Sequence, residues 1–232
     1  MMIIAGIVAG GTGSRMGNSD LPKQFMELGG KPLFIYTAEK FIRQSDFIII
    51  GMNKEWLKMA EFLVKKFLPE RENIFLTEGG SDRNGTVKNI IAFAQEKLKC
   101  KKEDIILTHD AARPFVDERM ISESLCAIEK CDICTVAVPA TDTIAVSSDG
   151  EMAEDFPDRS KMFLVQTPQT FRTGDFDEIY NSLSEKEKKT ATDVCRLFRA
   201  KGKKVMLVRG SAENIKITYA QDYKTARFMA EK

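Results

Sequence analysis

Histidine is nearly missing from this chain: His109 stands alone in 232 residues. Catalytic triads, histidine-rich metal sites and imidazole acid–base pairs therefore have little material, and any chemistry must manage without them. His109 itself reads as a packing or hydrogen-bonding residue rather than a catalyst. An excess of charge of one sign is missing too. Lys and Arg number 35 against 34 Asp and Glu, a net charge of +1, whereas nucleic-acid-binding domains carry a strongly basic stripe, so nucleic acid is not an expected partner. No apolar stretch approaches membrane-spanning length. The N-terminal run has neither the basic start nor the small-residue cleavage site of a signal peptide, so a cytoplasmic protein without a membrane partner is expected. Cysteine is sparse and odd in number, with Cys100, Cys126, Cys131, Cys134 and Cys195, which speaks against a disulfide framework. Cys131-Asp132-Ile133-Cys134 has redox or half-zinc spacing but leads into the strand-like Thr135-Val136-Ala137-Val138 rather than opening a helix, and reads as structural.

What is present is a regular alternation of apolar strands and amphipathic helices, the pattern of βαβ units and an α/β fold. Strands are expected at Ile3 to Val8, Phe47 to Gly51, Ile74 to Thr77, Asp104 to Thr108, Ile133 to Pro139 and Lys204 to Arg209. Between them, Val87, Ile90, Ile91, Ala94 and Leu98 fall on one helix face. The length fits one large domain over 1–232, with no linker or repeat to divide it. Pro139 to Phe163, rich in Asp, Ser, Gly and Pro, interrupts the alternation and reads as an extended hairpin or arm.

The first strand runs directly into Ala9-Gly10-Gly11-Thr12-Gly13-Ser14-Arg15-Met16-Gly17, followed by Leu21-Pro22-Lys23-Gln24-Phe25. Glycines let backbone N–H groups approach an anion, and Arg15 and Lys23 add positive charge at a strand's carboxyl end, where open α/β sheets bind ligands. The segment therefore reads as a polyphosphate cradle. A Walker A loop would need Gly-Lys-Ser/Thr, but Gly13 precedes Ser14-Arg15. A dinucleotide fingerprint would need a third glycine where Met16 stands, with an acid roughly 20 residues on. The kinase glycine-rich loop lacks its companion motifs. A plain strand-to-helix turn stays open as a reading of this stretch taken alone.

Four further clusters lie at or just beyond strand ends. Gly79-Gly80-Ser81-Asp82-Arg83-Asn84-Gly85-Thr86 is a glycine turn opening a helix, with N–H groups and hydroxyls able to read a base edge or an anion. Thr108-His109-Asp110-Ala111-Ala112-Arg113-Pro114 places a carboxylate and a guanidinium at a strand end, where Asp110 either holds Mg²⁺ against phosphate oxygens or pairs with Arg113. Asp158-Arg159 joins a polar turn, Gln166-Thr167-Pro168-Gln169-Thr170-Phe171, expected just after a strand. Asn214-Ile215-Lys216-Ile217-Thr218 carries a lysine within a strand-like run, which demands an anionic partner or exposure.

Transfer of a phosphoryl or nucleotidyl group to a phosphate monoester suits this inventory. Such a nucleophile has its second pKa near about 6 and is largely dianionic at neutral pH, so no general base is needed. Positioning and charge stabilisation remain, and arginine, lysine, backbone donors and Mg²⁺ supply them. A non-catalytic nucleotide-binding regulator would keep the glycine loops but have no use for Arg15, Lys23, Arg159 and Lys216 together. A nicotinamide oxidoreductase lacks its fingerprint spacing.

Taken together, AGGTGSRMG with LPKQF, GGSDRN, THDAARPF, Thr141-Asp142-Thr143, DRS, QTPQTF, Thr192-Asp193 and NIKIT resemble the cytidylyltransferase family that joins CTP to polyol phosphates, over nearly the whole length. Gly10 after Ala9, GGSDRN, QTPQTF, TDVC and NIKIT are similar to the ribitol 5-phosphate branch of teichoic acid or capsule synthesis. HDAARP is equally typical of the methylerythritol 4-phosphate branch of isoprenoid synthesis. The resemblance implies a Rossmann-like, mostly parallel sheet flanked by helices, with a β-arm that crosses a two-fold axis in a homodimer. It implies that Arg15 and Lys23 act at the α-phosphate of CTP and that Ala9, Gly10, Gly11 and Gly13 line the phosphates. Gly80, Ser81 and Thr86 would meet cytosine and ribose beside Ala111, Asp110 would hold Mg²⁺, and Arg159 and Lys216 would position the polyol phosphate with Thr143 nearby. Thr143 and Arg159 would serve the neighbouring subunit's site.

Overall fold

A computed structural model of the protein describes residues 1–11 and 21–231. In chain order its elements are β1 (Ile3–Ala9), β2 (Glu27–Leu28), β3 (Lys31–Pro32), α1 (Leu33–Glu39), β4 (Phe47–Met52), α2 (Leu57–Phe67), β5 (Ile74–Glu78), α3 (Arg83–Leu98), β6 (Ile105–Asp110), α4 (Glu118–Ala127), β7 (Ile133–Pro139), β8 (Phe163–Arg172), α5 (Thr173–Asn181), α6 (Glu185–Thr190), α7 (Val194–Ala200), β9 (Val205–Arg209) and α8 (Ala220–Ala230). Seven strands form one sheet in the order β5-β4-β1-β6-β8-β7-β9. Every pairing is parallel except those of β8, which runs antiparallel to β6 and β7. β1 lies between β4 and β6 with helices over both faces, which is why its sequence, IIAGIVA, is a continuous apolar run rather than an alternating one.

Each face of the sheet builds its own core. On one side Phe34, Phe41, Ile48, Ile50, Leu107 and Met120 pack beneath α1, α2 and α4. On the other, Val87, Ile90, Ile91 and Ala94 of α3 join Phe171, Phe176 and Phe198. Burying each of these large side chains contributes about 1.5–3 kcal/mol. Asp82 caps α3, its carboxylate accepting from the Gly85 N–H at 2.7 Å. The helix lies so close to the sheet that a Cβ on Gly51 would come within 2.5 Å of Thr86 Cγ2. A third, smaller cluster of Leu28, Leu33, Ile217 and Ala226 joins the β2–β3 hairpin to α8.

Two expectations fail. Gln166 to Phe171 is not a turn beyond a strand but the middle of β8, a ten-residue strand between β6 and β7. Gln166, Thr167 and Gln169 are buried and find partners inside the protein: Gln166 Nε2 donates to Ser211 O at 2.8 Å, Thr167 Oγ1 meets His109 Nδ1 at 2.9 Å, and Gln169 Oε1 accepts from Arg83 at 3.0 Å. The Asn214 to Thr218 run is not a strand. It is a loop held by Ile217 N–H on Ala112 O at 2.9 Å. The arm is paired at its base, where Pro139, Val138 and Ala137 face Phe163, Leu164 and Val165. Farther out it has one bridge, Val146 to Asp155, and is otherwise irregular. No helix among the described residues is long and apolar enough to cross a membrane.

Candidate active site

The carboxyl ends of β1 and β6 open into a cleft of about 370 Å³. Ala9, Gly10 and Gly11 leave β1 along one wall. Gly80, Ser81 and Thr86, from the β5–α3 turn, form another, with Asp110 and Ala111 at the tip of β6 and Lys23 and Lys216 beside them. Ten of the candidate residues thus share one space. Gly13 and Arg15 lie outside the described residues. Thr143 and Arg159 are exposed on the arm and do not reach this cleft within the same chain; the Arg159 guanidinium donates to Thr141 O at 2.8 Å.

Local backbone chemistry builds each wall. The β5–α3 turn closes because Gly80 packs directly on Gly85, where a Cβ would fall 2.3 Å from the Gly85 carbonyl carbon. The Thr86 hydroxyl accepts from Gly80 N–H at 3.0 Å and donates to Asp82 O at 2.9 Å, so it shapes this wall as well as lining it. Lys23 sits in a short 3-10 turn tied to β1 by Gln24 Nε2 on Ala9 O at 2.9 Å. Its ammonium donates to Ile217 O at 2.8 Å, which sets it one residue from Lys216.

Asp110 is the electrostatic centre. Its Oδ1 accepts from Arg83 Nε at 2.9 Å, its Oδ2 pairs with Lys216 Nζ at 2.7 Å, and Arg113 Nε lies 3.9 Å from Oδ2. Burial works to raise its pKa, but the charges of Arg83 and Lys216 outweigh it and hold the carboxyl well below the usual carboxylate range. The Arg113 alternative is therefore one part of a larger cluster, and the lysine of the Asn214 to Thr218 run has the anionic partner it demanded. His109, fully buried, bonds Arg113 O through Nε2 and Thr167 Oγ1 through Nδ1, both at 2.9 Å. Burial pushes its pKa down to about 4, which keeps the ring neutral at pH 7. The buried thiols are likewise far from reactive: burial pushes Cys134 and Cys195 up to about 12, and Cys131 donates to Ala127 O.

Arg83 was not among the residues singled out, yet it joins Asp110 to Gln169 and lines both this cleft and a smaller one of about 140 Å³ that continues past Asp110 toward Thr167, Thr192 and Asp193. A signal existed. Arg83 is the first residue of α3, and a cation at the positive end of a helix dipole is misplaced unless a carboxylate waits for it.

The chain is similar to known proteins over its whole length. The family model described as IspD: 2-C-methyl-D-erythritol 4-phosphate cytidylyltransferase matches residues 3–232. A ribitol-5-phosphate cytidylyltransferase of Streptococcus pneumoniae serotype 2 is 46% identical over 234 residues, covering 100% of both chains. Among solved structures, the 2-C-methyl-D-erythritol 4-phosphate cytidylyltransferase of Thermus thermophilus superposes with a TM-score of 0.77 at 26% identity, covering 100% of each chain. The 4-diphosphocytidyl-2C-methyl-D-erythritol synthase of Anaerococcus prevotii shares the fold, with a TM-score of 0.79 at 24% identity over 100% of this chain and 99% of that one. Sheet, cleft and relatives together define a CTP-dependent nucleotidyltransferase. Within that class, the chain belongs to the IspD family of cytidylyltransferases.

Proposed function

We propose that this enzyme transfers CMP from CTP to D-ribitol 5-phosphate, giving CDP-ribitol and pyrophosphate. The observation that carries the chemistry is one strand-tip cleft lined by Lys23 together with Asp110 and its paired cations Lys216 and Arg83. The full-length 46% identity to a ribitol-5-phosphate cytidylyltransferase supports the choice of polyol. In this reading one domain over 1–232 does the work in the cytoplasm. CTP lies with its base against Gly80, Ser81 and Thr86, and with its phosphates along Ala9, Gly10, Gly11 and Gly13 beside Arg15 and Lys23. A phosphate oxygen of ribitol 5-phosphate attacks the α-phosphorus in line, the bond to the β-phosphate oxygen breaks, and pyrophosphate leaves. Lys23 and Arg15 neutralise the charge that develops, while Lys216 holds the incoming phosphate.

This reading uses Mg²⁺, which at Asp110 would take the place of a cation now paired with the carboxylate, Arg83 at Oδ1 or Lys216 at Oδ2. The described residues contain no cluster of three or more His, Cys, Asp or Glu side chains, and Mg²⁺ is held by one or two carboxylates plus substrate phosphates and water rather than by a protein cage. Asp110 would hold it, and the ion would offset charge on the triphosphate. We further assign a homodimer in which the arm brings Thr143 and Arg159 to the neighbour's cleft. Met152 on the arm is 72% exposed, Phe156 63%, and Leu164 at its base 52%, apolar surface of a kind that marks interaction sites.

The family model and the solved relatives favour a second polyol, 2-C-methyl-D-erythritol 4-phosphate. One assay separates the two: pyrophosphate release from CTP and Mg²⁺ with ribitol, methylerythritol, ribulose and glycerol phosphates in turn. Turnover highest with ribitol 5-phosphate is the expected result. Preference for methylerythritol 4-phosphate selects the second reading, and no release with any of them rejects both.

A further inference from the structure

Beside the cleft lies a buried polar network that the reaction as proposed does not use. The β6–β8 ladder ends at Thr108 and Gln169. Past it, the Asp110 N–H finds the Thr167 hydroxyl at 3.2 Å. The carbonyl of the same Thr167 accepts from Asn214 Nδ2 at 3.0 Å, and Asn214 is fully buried two residues before Lys216. One residue of β8 thus brackets both ends of the Asp110–Lys216 pair, the strand tip through its hydroxyl and the lysine loop through its carbonyl.

The proton on that hydroxyl has one place to go. His109 Nε2 faces a carbonyl, Arg113 O, which only accepts, so Nε2 carries the ring proton and Nδ1 carries a lone pair. Thr167 then donates its single hydroxyl proton to Nδ1 at 2.9 Å and turns a lone pair to the Asp110 N–H. The ring is clamped by Phe41, with centroids 5.0 Å apart. We propose that His109 is a positioning residue for nucleotidyl transfer: by accepting the Thr167 hydroxyl proton, it orients the bracket that holds Asp110 and Lys216 side by side. The assignment rests on the reading of the strand-tip cleft as the reaction site.

The test compares Thr167→Val, Thr167→Ser, His109→Phe and the double variant His109→Phe/Thr167→Val, with turnover of CTP and ribitol 5-phosphate by the unaltered enzyme measured alongside. Thr167→Val and His109→Phe should each lower kcat about tenfold or more while KM for CTP stays within about twofold. Thr167→Ser, which keeps the hydroxyl, should restore kcat to within about threefold of normal. Because His109 acts through Thr167, the double variant should be no worse than Thr167→Val by more than about twofold. Losses that multiply, a Thr167→Ser enzyme as poor as Thr167→Val, or near-normal kcat in Thr167→Val would overturn the proposal. The lone histidine adds a readout independent of turnover and of the folding of His109→Phe. Nitrogen-15 NMR of the untagged protein should show Nε2 protonated and Nδ1 bare, with Nδ1 shifting in Thr167→Val. A protonated Nδ1 would refute the network whatever the activity, whereas an inactive unaltered enzyme with the expected spectrum would refute the functional reading alone.

Discussion

The strand-tip cleft and the 139–163 arm hold their cations in opposite settings. In the cleft, Arg83 and Lys216 are tied to a carboxylate only 10% exposed, and Lys23 is pinned to a backbone carbonyl. On the arm, Arg159 is exposed and donates to the carbonyl of Thr141, with exposed Thr143 nearby. Arg83, only 17% exposed, is largely desolvated and held to its carboxylate, Lys216 at 40% keeps contact with solvent, and Arg159 on the arm is exposed altogether. The contrast separates charge that the cleft ties down within one chain from charge that the arm leaves at its surface.

The largest expected effect breaks the cleft itself. Asp110→Ala would leave Arg83 buried without its counter-charge, at a cost of about 3–5 kcal/mol in stability, measurable by urea unfolding; a loss under about 1 kcal/mol would mean the cluster is solvated after all. Lys23→Ala should keep the fold and lower kcat about a hundred- to thousandfold, as loss of one charge-stabilising contact commonly does. Circular dichroism with pyrophosphate release checks both halves.

Between pH 6.5 and about 4 the expected pH effect belongs to His109, buried behind the cleft. His109 has a pKa of about 4 in the folded state against an ordinary 6.5, so the unfolded chain binds its proton first as pH falls. Its contribution is complete above pH 6.5 and is lost between 6.5 and about 4, about 3 kcal/mol in all. Asp110, depressed when folded, acts lower, its contribution lost as pH falls below the usual carboxylate range. Urea unfolding across this range should show the first loss in the unaltered protein and not in His109→Phe. The smallest effect is expected on the arm. Arg159→Ala should raise KM for ribitol 5-phosphate about tenfold with CTP binding retained, read by titrating each ligand. At ribitol 5-phosphate well below its KM, dimers mixed from Lys23→Ala and Arg159→Ala chains should turn over faster than either parent if the arm serves the neighbour.

The parts legible in sequence were those where one physical rule dominates. Apolar β-branched runs marked β1 and β4, interior strands buried on both faces, and the same run-length signal carried over to β5, β6, β7 and β9. β8 escaped because its second half borders the cleft. Gln166, Thr167 and Gln169 are buried yet polar, their partners come from Ser211, Asp110, His109 and Arg83, and a polar run with a proline reads locally as a turn. Lys216 was legible as a charge needing an anion, but its partner Asp110 lies 106 residues away in sequence, beyond any local pattern. Arg83 stands in a glycine turn, and its partners Asp110 and Gln169 lie 27 and 86 residues further along the chain, beyond any local pattern.

The central claim is that Lys23 and Lys216, far apart in sequence, serve one ligand site beside Asp110. Crystals grown with CDP-ribitol test it most directly: the diphosphate should lie in the strand-tip cleft, with both ammonium groups within about 3 Å of its oxygens. A product bound elsewhere, or touching neither lysine, would contradict it.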